Sequence, residues 1–576
     1  MQRRQGQKYL WNLPSTSDAT VLEIASKYSL SFPIAQTLIS RGFTTPEKID
    51  EFLFTSFERD VAHPSLMKDA DKSIDRILQA IENNEKILVA GDYDVDGITS
   101  SAIMLSCLLP LKAQINFFLP NRVRDGYGLS TKIIERAAKN DYKVVVTVDN
   151  GITAFEPAKK AKELGIDLII TDHHRPHEEV PDAFAIVNPA QVDCKYPFKV
   201  LAGVGVAFKL MSLLYEKLKL KLPEKVYELL MLGTVADVVP LRGENRFWVR
   251  YGLQYVNKIE SYAFKVLKQN GKVTKNIISS TDIGFSIAPQ INALGRLEDA
   301  RDGVKFLIGS DTNDIEAVGN VLLELNEARK GIERSIFEQV KQQIEQKKID
   351  LDHENVIVAA SNNWPAGVIG LVASRLVSAY GRPTLLFHLS KDGLAKGSCR
   401  SIAEFNMFDA LYQNKDMLKS FGGHSMAAGL ALPVEKLSIL KENLEALVAE
   451  QCTPEDLQLK LTLDAQAKLS DLTKKFMNDM QNLEPFGNEN KQPYFYFEGV
   501  VMVQKPQLLK DLHVKCTMFA DGVIKPVIFF NRPELFQRFI DQGEKPFCLA
   551  AQVMENHWNG RVSIELSGVD VSFDKD

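Results

Sequence analysis

The segment Gly91-Asp-Tyr-Asp-Val-Asp-Gly-Ile-Thr places Asp92, Asp94 and Asp96 at alternate positions directly after the apolar run Lys86-Ile-Leu-Val-Ala. Carboxylates at that spacing invite a divalent cation. The rival pattern is an EF-hand loop, which wants a bidentate Glu at position 12; counted from Asp92, that position is Ile103. The run before the loop also reads as a strand rather than a helix, against the EF-hand. Two further apolar runs end in the same chemistry. Lys143-Val-Val-Val-Thr-Val leads into Asp149, and Leu168-Ile-Ile-Thr leads into Asp172, His173 and His174. Asp237, inside Gly233-Thr-Val-Ala-Asp-Val-Val-Pro, is a carboxylate in apolar surroundings, where burial penalises it unless it is paired or metal-bound. A lone Asp after a strand is ordinarily a turn former or helix cap. Repetition at three strand ends favours a metal site instead.

Oxygen-rich ligands with one or two imidazoles suit Mg2+ or Mn2+ better than a thiolate-loving metal. Two ions about 3.5 to 4 Å apart stabilise the attacking and leaving oxygens of a phosphoryl displacement and acidify a water between them. Five carboxylates and a histidine provide enough ligands for such a pair, so the expected cofactors are two divalent cations, Mn2+ or Mg2+. The cluster by itself implies metal-assisted hydrolysis of a phosphate ester.

The elements that must position these groups are five short apolar runs between Lys86 and Val187, separated by helical stretches. Continuous β-branched runs imply strands covered on both faces, hence a doubly wound parallel sheet in an α/β domain. In such sheets ligands bind beyond the carboxyl ends of the strands, where strand order reverses, so distant aspartates converge there.

A chain of 576 residues exceeds one hydrophobic core at roughly 100 to 200 residues per domain. The expected divisions are an N-terminal helical segment (1–65), the doubly wound domain (66–310) and a connecting helix (311–350). A second α/β domain (351–452) and a C-terminal β-barrel (453–576) complete the chain. The connector carries Glu324, Glu327, Arg329, Lys330, Glu333 and Arg334 at spacings suited to an exposed helix. The last part breaks aromatic and β-branched runs with Gly, Pro and Asp, the pattern of a small barrel.

Composition bounds the rest. Hydrophobic residues at 45% and charged residues at 25% describe a folded chain with no apolar run near the roughly 18 residues that span a bilayer. The opening Met1-Gln-Arg-Arg-Gln-Gly is polar, unlike an apolar signal core, so a cytoplasmic location without membrane contact is expected. Six dispersed cysteines form no CxxC pair, which speaks against a zinc site or a disulfide framework. A net charge of −5 argues against a nonspecific polycation and leaves room for a local basic groove.

The ordered set Asp94-Val-Asp96, Asp149, Asp172-His173-His174 and Asp237 resembles the DHH phosphoesterase family, which takes its name from the Asp-His-His triplet. The resemblance implies that Asp94 and Asp96 bind separate ions, that Asp149 bridges, and that His173 and Asp237 complete the ligand shells. His174 would face the phosphate and Asp92 would act from behind the ligands, both as catalytic residues. Many members carry a histidine four residues before the first metal-binding aspartate. Here Ala90 stands at that position and Asp92 follows two residues later, a departure that resembles the RecJ branch. Asn121-Arg-Val-Arg-Asp-Gly-Tyr-Gly-Leu, Ala288-Pro-Gln-Ile-Asn-Ala-Leu-Gly-Arg, Trp364-Pro-Ala-Gly-Val-Ile-Gly and Leu483-Glu-Pro-Phe-Gly-Asn are similar to the same branch.

The second α/β domain, with Gly397-Ser-Cys-Arg-Ser and Gly422-Gly-His-Ser, resembles the DHH-associated substrate domain. Its implied role is to receive a terminal phosphate. Arg400 can donate paired hydrogen bonds, Ser398 and Ser401 add hydroxyls, Gly422 and Gly423 let backbone N–H groups approach, and His424 adds a donor. Arg122 would hold the substrate backbone and Tyr127 would stack on a base, while Asn292 and Arg296 are further phosphate contacts. The C-terminal part resembles an OB-fold. There Phe495, Phe497, Phe519, Phe529 and Phe530 are expected chiefly in the barrel core, and Trp558 is the candidate for an exposed ring.

The activity implied by the resemblance is hydrolysis of single-stranded DNA from the 5′ end to 5′-mononucleotides, in DNA repair and recombination. The implied partners are the strand itself, a helicase and a single-strand-binding protein, around a monomeric enzyme. The alternatives are a hydrolase of short oligonucleotides or cyclic dinucleotides, and a catalytically inactive scaffold that binds single-stranded DNA.

Overall fold

Five of the apolar runs form one parallel sheet: β1 (Lys86–Ala90), β2 (Gln114–Phe118), β3 (Tyr142–Val148), β4 (Asp167–Thr171) and β5 (Ala185–Val187). The computed structural model describes residues 2–121, 125–126, 128–558 and 561–573. The sheet order is β2-β1-β3-β4-β5, so the chain leaves β1 to one side and returns to its other side in β3. The order therefore reverses between β1 and β3, the two strands whose ends carry Asp92 to Asp96 and Asp149.

Both faces of the sheet are covered, which is why the runs are continuously apolar. Ile87, Val89, Val144, Val146, Val148 and Ile169 join the core on one face. Leu88, Ala90, Val145, Leu168 and Ile170 join a separate core on the other. Helices α1 (Val95–Leu108), α4 (Gly203–Lys217) and α5 (Lys225–Ala236) belong to the first face, and α2 (Thr131–Lys139) and α3 (Phe155–Glu163) to the second. Further along lie α6 (Ala288–Leu297), preceded by a π-helical turn at Ile283–Ile287, then α7 (Arg301–Ile308) and the 34-residue α8 (Thr312–Glu345).

The chain divides into two compact units. One comprises Asp50–Lys330 and Glu484–Lys491, and the other Met1–Ile49, Gly331–Leu483 and Gln492–Asp576. The second unit holds a five-stranded mixed sheet of β6 (Ile357–Ser361), β7 (Thr384–Leu389), β8 (Leu394–Arg400), β9 (Ser420–His424) and β10 (Ala427–Pro433), in the order β9-β10-β8-β7-β6. Helix α9 (Ala366–Tyr380) crosses from β6 to its parallel partner β7.

The same unit holds a barrel made of β11 (Phe495–Met502), β12 (His513–Ala520), β13 (Val523–Phe529), β14 (Phe547–Trp558) and β15 (Arg561–Phe573). It closes because β11 pairs with both β14 and β12, and β15 joins β14 to β13. Phe495, Phe497 and Phe529 fill its interior, whereas Phe519 and Phe530 are exposed. Two N-terminal strands, Arg3–Gln5 and Leu10–Asn12, pair with each other, and Leu10–Asn12 also pairs in parallel with Lys460–Thr462. Asp570 of the barrel, wholly buried, accepts hydrogen bonds from the backbone N–H groups of Lys8 and Tyr9, from Trp11 Nε1 and from Arg532 Nη2. All six cysteines are free thiols. Among the described residues no helix is long and apolar enough to cross a membrane.

Candidate metal centre

Asp94 is the N-cap of α1, where its carboxylate accepts from Gly97 N at 3.1 Å. That fixes the loop between β1 and α1, with Asp92 before the cap and Asp96 in the first helical turn. Asp149 follows β3 in the left-handed region, φ +60°, which Asp tolerates better than most residues. The side-chain amide of Asn150 donates to the carbonyls of Ala90 and Val148 and so ties the tips of β1 and β3 together. His173 and His174 follow β4, and Asp237 caps the C-terminal end of α5.

These elements bring the predicted residues to one place. His173 Nε2 lies 3.1 Å from Asp149 Oδ1, 3.6 Å from Asp237 Oδ2 and 3.8 Å from Asp96 Oδ2. Ligand atoms of Asp96, His173 and Asp237 lie within 4.8 Å of one another, as do those of Asp92, Asp94 and Asp149. The short contact from Asp149 to His173 joins the two groups, which suits a bridging carboxylate. Asp92, expected behind the ligands, stands among the potential ligands alongside Asp94 and Asp149.

The electrostatics are those of a site built for cations. Burial pushes Asp96 up to about 7, helped by the Asp94 charge and opposed by the N–H groups of Val204 and Gly203. Burial and the charges of Asp96 and Asp94 raise Asp149 and Asp237 well above the ordinary carboxylate range. Burial and then the neighbouring His174 charge lower His173 to about 4, so its ring is neutral at physiological pH. The ring bonds the Leu201 backbone, while His173 Nε2 and Asp237 Oδ2 are buried without a hydrogen bond. A lone pair aimed at three carboxylates is repulsive unless a positive ion sits among them, so these residues fit a divalent cation centre.

Asp172 has a different task. It accepts from Ile152 N at 2.9 Å, His173 N at 2.7 Å and His174 Nδ1 at 2.7 Å. Burial would raise its pKa, but the His174 bond and charge outweigh that and lower it. Burial opposes the charged form of His174, yet the Asp172 bond prevails and holds the ring above its ordinary value. With two-fifths of its side chain exposed, His174 can present an N–H to an anion.

Several supporting groups carry no motif of their own. Backbone N–H groups of Gly203 and Val204, at the start of α4, each donate to Asp96 at 2.7 Å. A Cβ at Gly203 would lie 2.6 Å from that of Asp149, so only glycine permits the approach. The Gly203-Val-Gly205 pattern opening an apolar helix is the signal that could have pointed there. Asn488 of Leu483-Glu-Pro-Phe-Gly-Asn donates to Val238 O and accepts from Leu241 N, which braces the turn after Asp237.

Asn292 places its side-chain oxygen 3.2 Å from Val95 N, so it holds the aspartate loop directly. Arg296, one turn further along α6, shares that face. In the other unit, the register of β8, β10 and β9 aligns Ser398 with Gly429 and Gly422, and Arg400 with Ala427 and His424. Arg400 donates to Ser398 Oγ at 3.2 Å, and the small Gly429 and Ala427 leave the face open toward Gly422 and His424. Gly423, at φ +140°, has no room for a Cβ against the Ala427 carbonyl. Ser401 turns away from this group: it is buried and gives its hydroxyl to Phe405 O. Arg122, Tyr127 and the side chain of Trp558 lie outside the described residues.

Comparison with known proteins gives consistent matches. The DHH family N-terminal domain matches residues 86–234, the DHHA1 domain residues 353–450 and the RecJ OB domain residues 463–570. The chain is 36% identical over 561 residues to the single-stranded-DNA-specific exonuclease RecJ of Bacillus subtilis, covering 97% of this chain and 70% of that protein. It is 32% identical over 518 residues to the protein of the same name in Escherichia coli, covering 86% and 89%. The crystal structure of RecJ in complex with Mn2+ from Thermus thermophilus superposes with a TM-score of 0.83 at 27% identity, covering 98% of this chain and 80% of that one. A Mg2+ complex of the same protein gives a TM-score of 0.76 at 25% identity, covering 98% and 79%.

Proposed function

The chain belongs to the RecJ family of DHH phosphoesterases, and from that membership we propose that it hydrolyses single-stranded DNA stepwise from the 5′ end to 5′-mononucleotides with two divalent cations, Mn2+ or Mg2+. The observation that carries this reading is the neutral His173 Nε2 within 3.8 Å of the carboxylates of Asp96, Asp149 and Asp237. In the proposed assignment Asp96, His173 and Asp237 hold one ion, Asp92 and Asp94 hold the other, and Asp149 bridges. Cations bound there supply Lewis-acid stabilisation of the reacting phosphate and acidify the attacking water.

The protein's own groups do the rest. The backbone bond to Leu201 keeps Nε2 of His173 as the ligand atom. The start of α4 aims both oxygens of Asp96, and the Asp172 bond favours the protonated form of His174, which donates to a phosphate oxygen. Arg400 and Ser398, on the open face between β8 and β9, are proposed to receive a terminal phosphate. Exposed Phe519 and Phe530 on the barrel are proposed to stack on bases of the bound strand. A cytoplasmic, monomeric enzyme supplied with strand by a helicase and met by a single-strand-binding protein completes the proposal.

Digestion of 5′- and 3′-labelled single-stranded and duplex DNA, with Mn2+, Mg2+ or chelator, tests substrate, polarity and cofactor together. Mononucleotide released first from the 5′ label, only with metal and only from the single strand, is expected. Release first from the 3′ label defeats the polarity.

A further inference from the structure

A cleft in the doubly wound domain, about 660 Å3, shares no residue with the metal centre. It lies along β2, the edge strand of the sheet. On one bank α2 presents Lys132 and Arg136, four residues apart and therefore on one face; on the other, α7 presents Arg301 and Lys305 at the same spacing. Arg301 is paired with Asp299 and Lys305 with Asp302. Lys132 and Arg136 have no ion-pair partner among the described residues. Four cations face one carboxylate of the lining, Asp125, so this edge strand, banked by cations on both sides, attracts an anion of some length.

The strand itself discriminates between anions. Asn116 Oδ1 accepts from Phe117 N at 2.8 Å and so occupies an edge amide that an added peptide strand would need. Among the described residues the Asn116 amide N–H groups meet no acceptor, which leaves both for a ligand. Phe118 and Tyr142, each half-buried, give the cleft an aromatic floor on the α2 side. Cations, an outward amide and aromatic rings in a cavity of small-ligand size suit a nucleotide better than an acidic peptide.

We propose that this cleft is a second nucleotide site, with Lys132 and Arg136 on the phosphate and the base against Phe118 and Tyr142. The nucleotide is either a free nucleoside monophosphate or a unit within a DNA strand, the phosphate and base being common to both. Full-length protein is titrated in chelator with dTMP and, separately, with the unphosphorylated trinucleotide (dT)3. The parent is compared with the double variants Lys132→Gln/Arg136→Gln and Lys132→Glu/Arg136→Glu. The double variants should lose at least about tenfold in affinity for one or both probes, with unchanged melting and metal-dependent hydrolysis retained. If the Glu pair melts lower, the Gln pair decides. Loss confined to dTMP assigns free nucleotide, and loss with (dT)3 assigns the strand. Equal binding by parent and variants, or no binding of either probe by the parent, overturns the site. No metal is present during titration, so failure of the hydrolytic reading would show separately, in the nuclease assay.

Discussion

At the scale of single residues, the metal centre is a set of carboxylates that repel one another and an imidazole that burial keeps neutral at physiological pH. Asp149 touches both ligand groups, so Asp149→Ala should abolish hydrolysis by at least about 10³-fold and remove the rise in melting temperature that Mn2+ gives the parent. Retained metal-dependent activity in that variant would remove the bridge from the mechanism. The raised carboxylates also set a pH dependence. Asp96 titrates near 3.8 in the unfolded chain and at about 7 in the folded metal-free protein. Between those values folding takes up a proton, so the stability this group contributes is fully present below the lower value and lost as pH rises through the upper one. A cation binds the ionised form, and its stabilisation grows over the same window. The melting shift between chelated and Mn2+-loaded protein should therefore be larger at about pH 7.5 than at about pH 5.5, and an equal shift at both would contradict the assigned ligands.

At the scale of elements, the aspartate loop is held from outside by α6. Gly295 packs so closely that a Cβ there would lie 2.1 Å from the Tyr93 carbonyl oxygen, and Asn292 bonds Val95 N. Gly295→Ala should displace the loop, costing about 1 to 3 kcal/mol of stability together with hydrolysis. Asn292→Ala should weaken Mn2+ binding by about 10- to 100-fold, read by isothermal titration, while the fold persists by circular dichroism. Normal Mn2+ affinity in Asn292→Ala would return that residue to a purely substrate-facing role. In the sequence, α6 is legible as a segment similar to the RecJ branch, with Asn292 and Arg296 as phosphate contacts. Its contact with a loop about 200 residues earlier has no local signature.

At the scale of the whole molecule, the two units should melt as separate transitions, only one of which responds to metal. Asp570 ties the N-terminal segment to the barrel by accepting from Lys8 N, Tyr9 N and Trp11 Nε1, and it also accepts from the buried Arg532 guanidinium. Arg532 keeps Glu534 and the Val569 carbonyl, so Asp570→Ala chiefly leaves the N–H groups of Lys8, Tyr9 and Trp11 without their acceptor; it should lower the barrel transition by about 1 to 3 kcal/mol, leaving the Mn2+-dependent shift of the other unit in place. A single transition lowered by the variant and raised by Mn2+ together would refute the independence of the units. Scanning calorimetry with and without Mn2+ reads both outcomes.

The sequence by itself determined the chemistry and the kind of sheet. Each acidic motif directly follows its own strand, and continuous β-branched runs require a sheet buried on both faces, so parallel order and convergence at the carboxyl ends follow from local pattern. Tertiary structure alone decided what holds the cluster and which residues turn away from it. Gly203 and Val204 serve Asp96 across about 100 residues of chain, Asn488 braces the Asp237 turn across 250, and Leu10 to Asn12 find a strand partner at Lys460 to Thr462. Ser401 reads as a phosphate ligand beside Arg400, yet its hydroxyl is spent on Phe405 O. These choices rest on backbone amides, absent side chains and packing distances between remote segments, and residue identity along the chain records none of them.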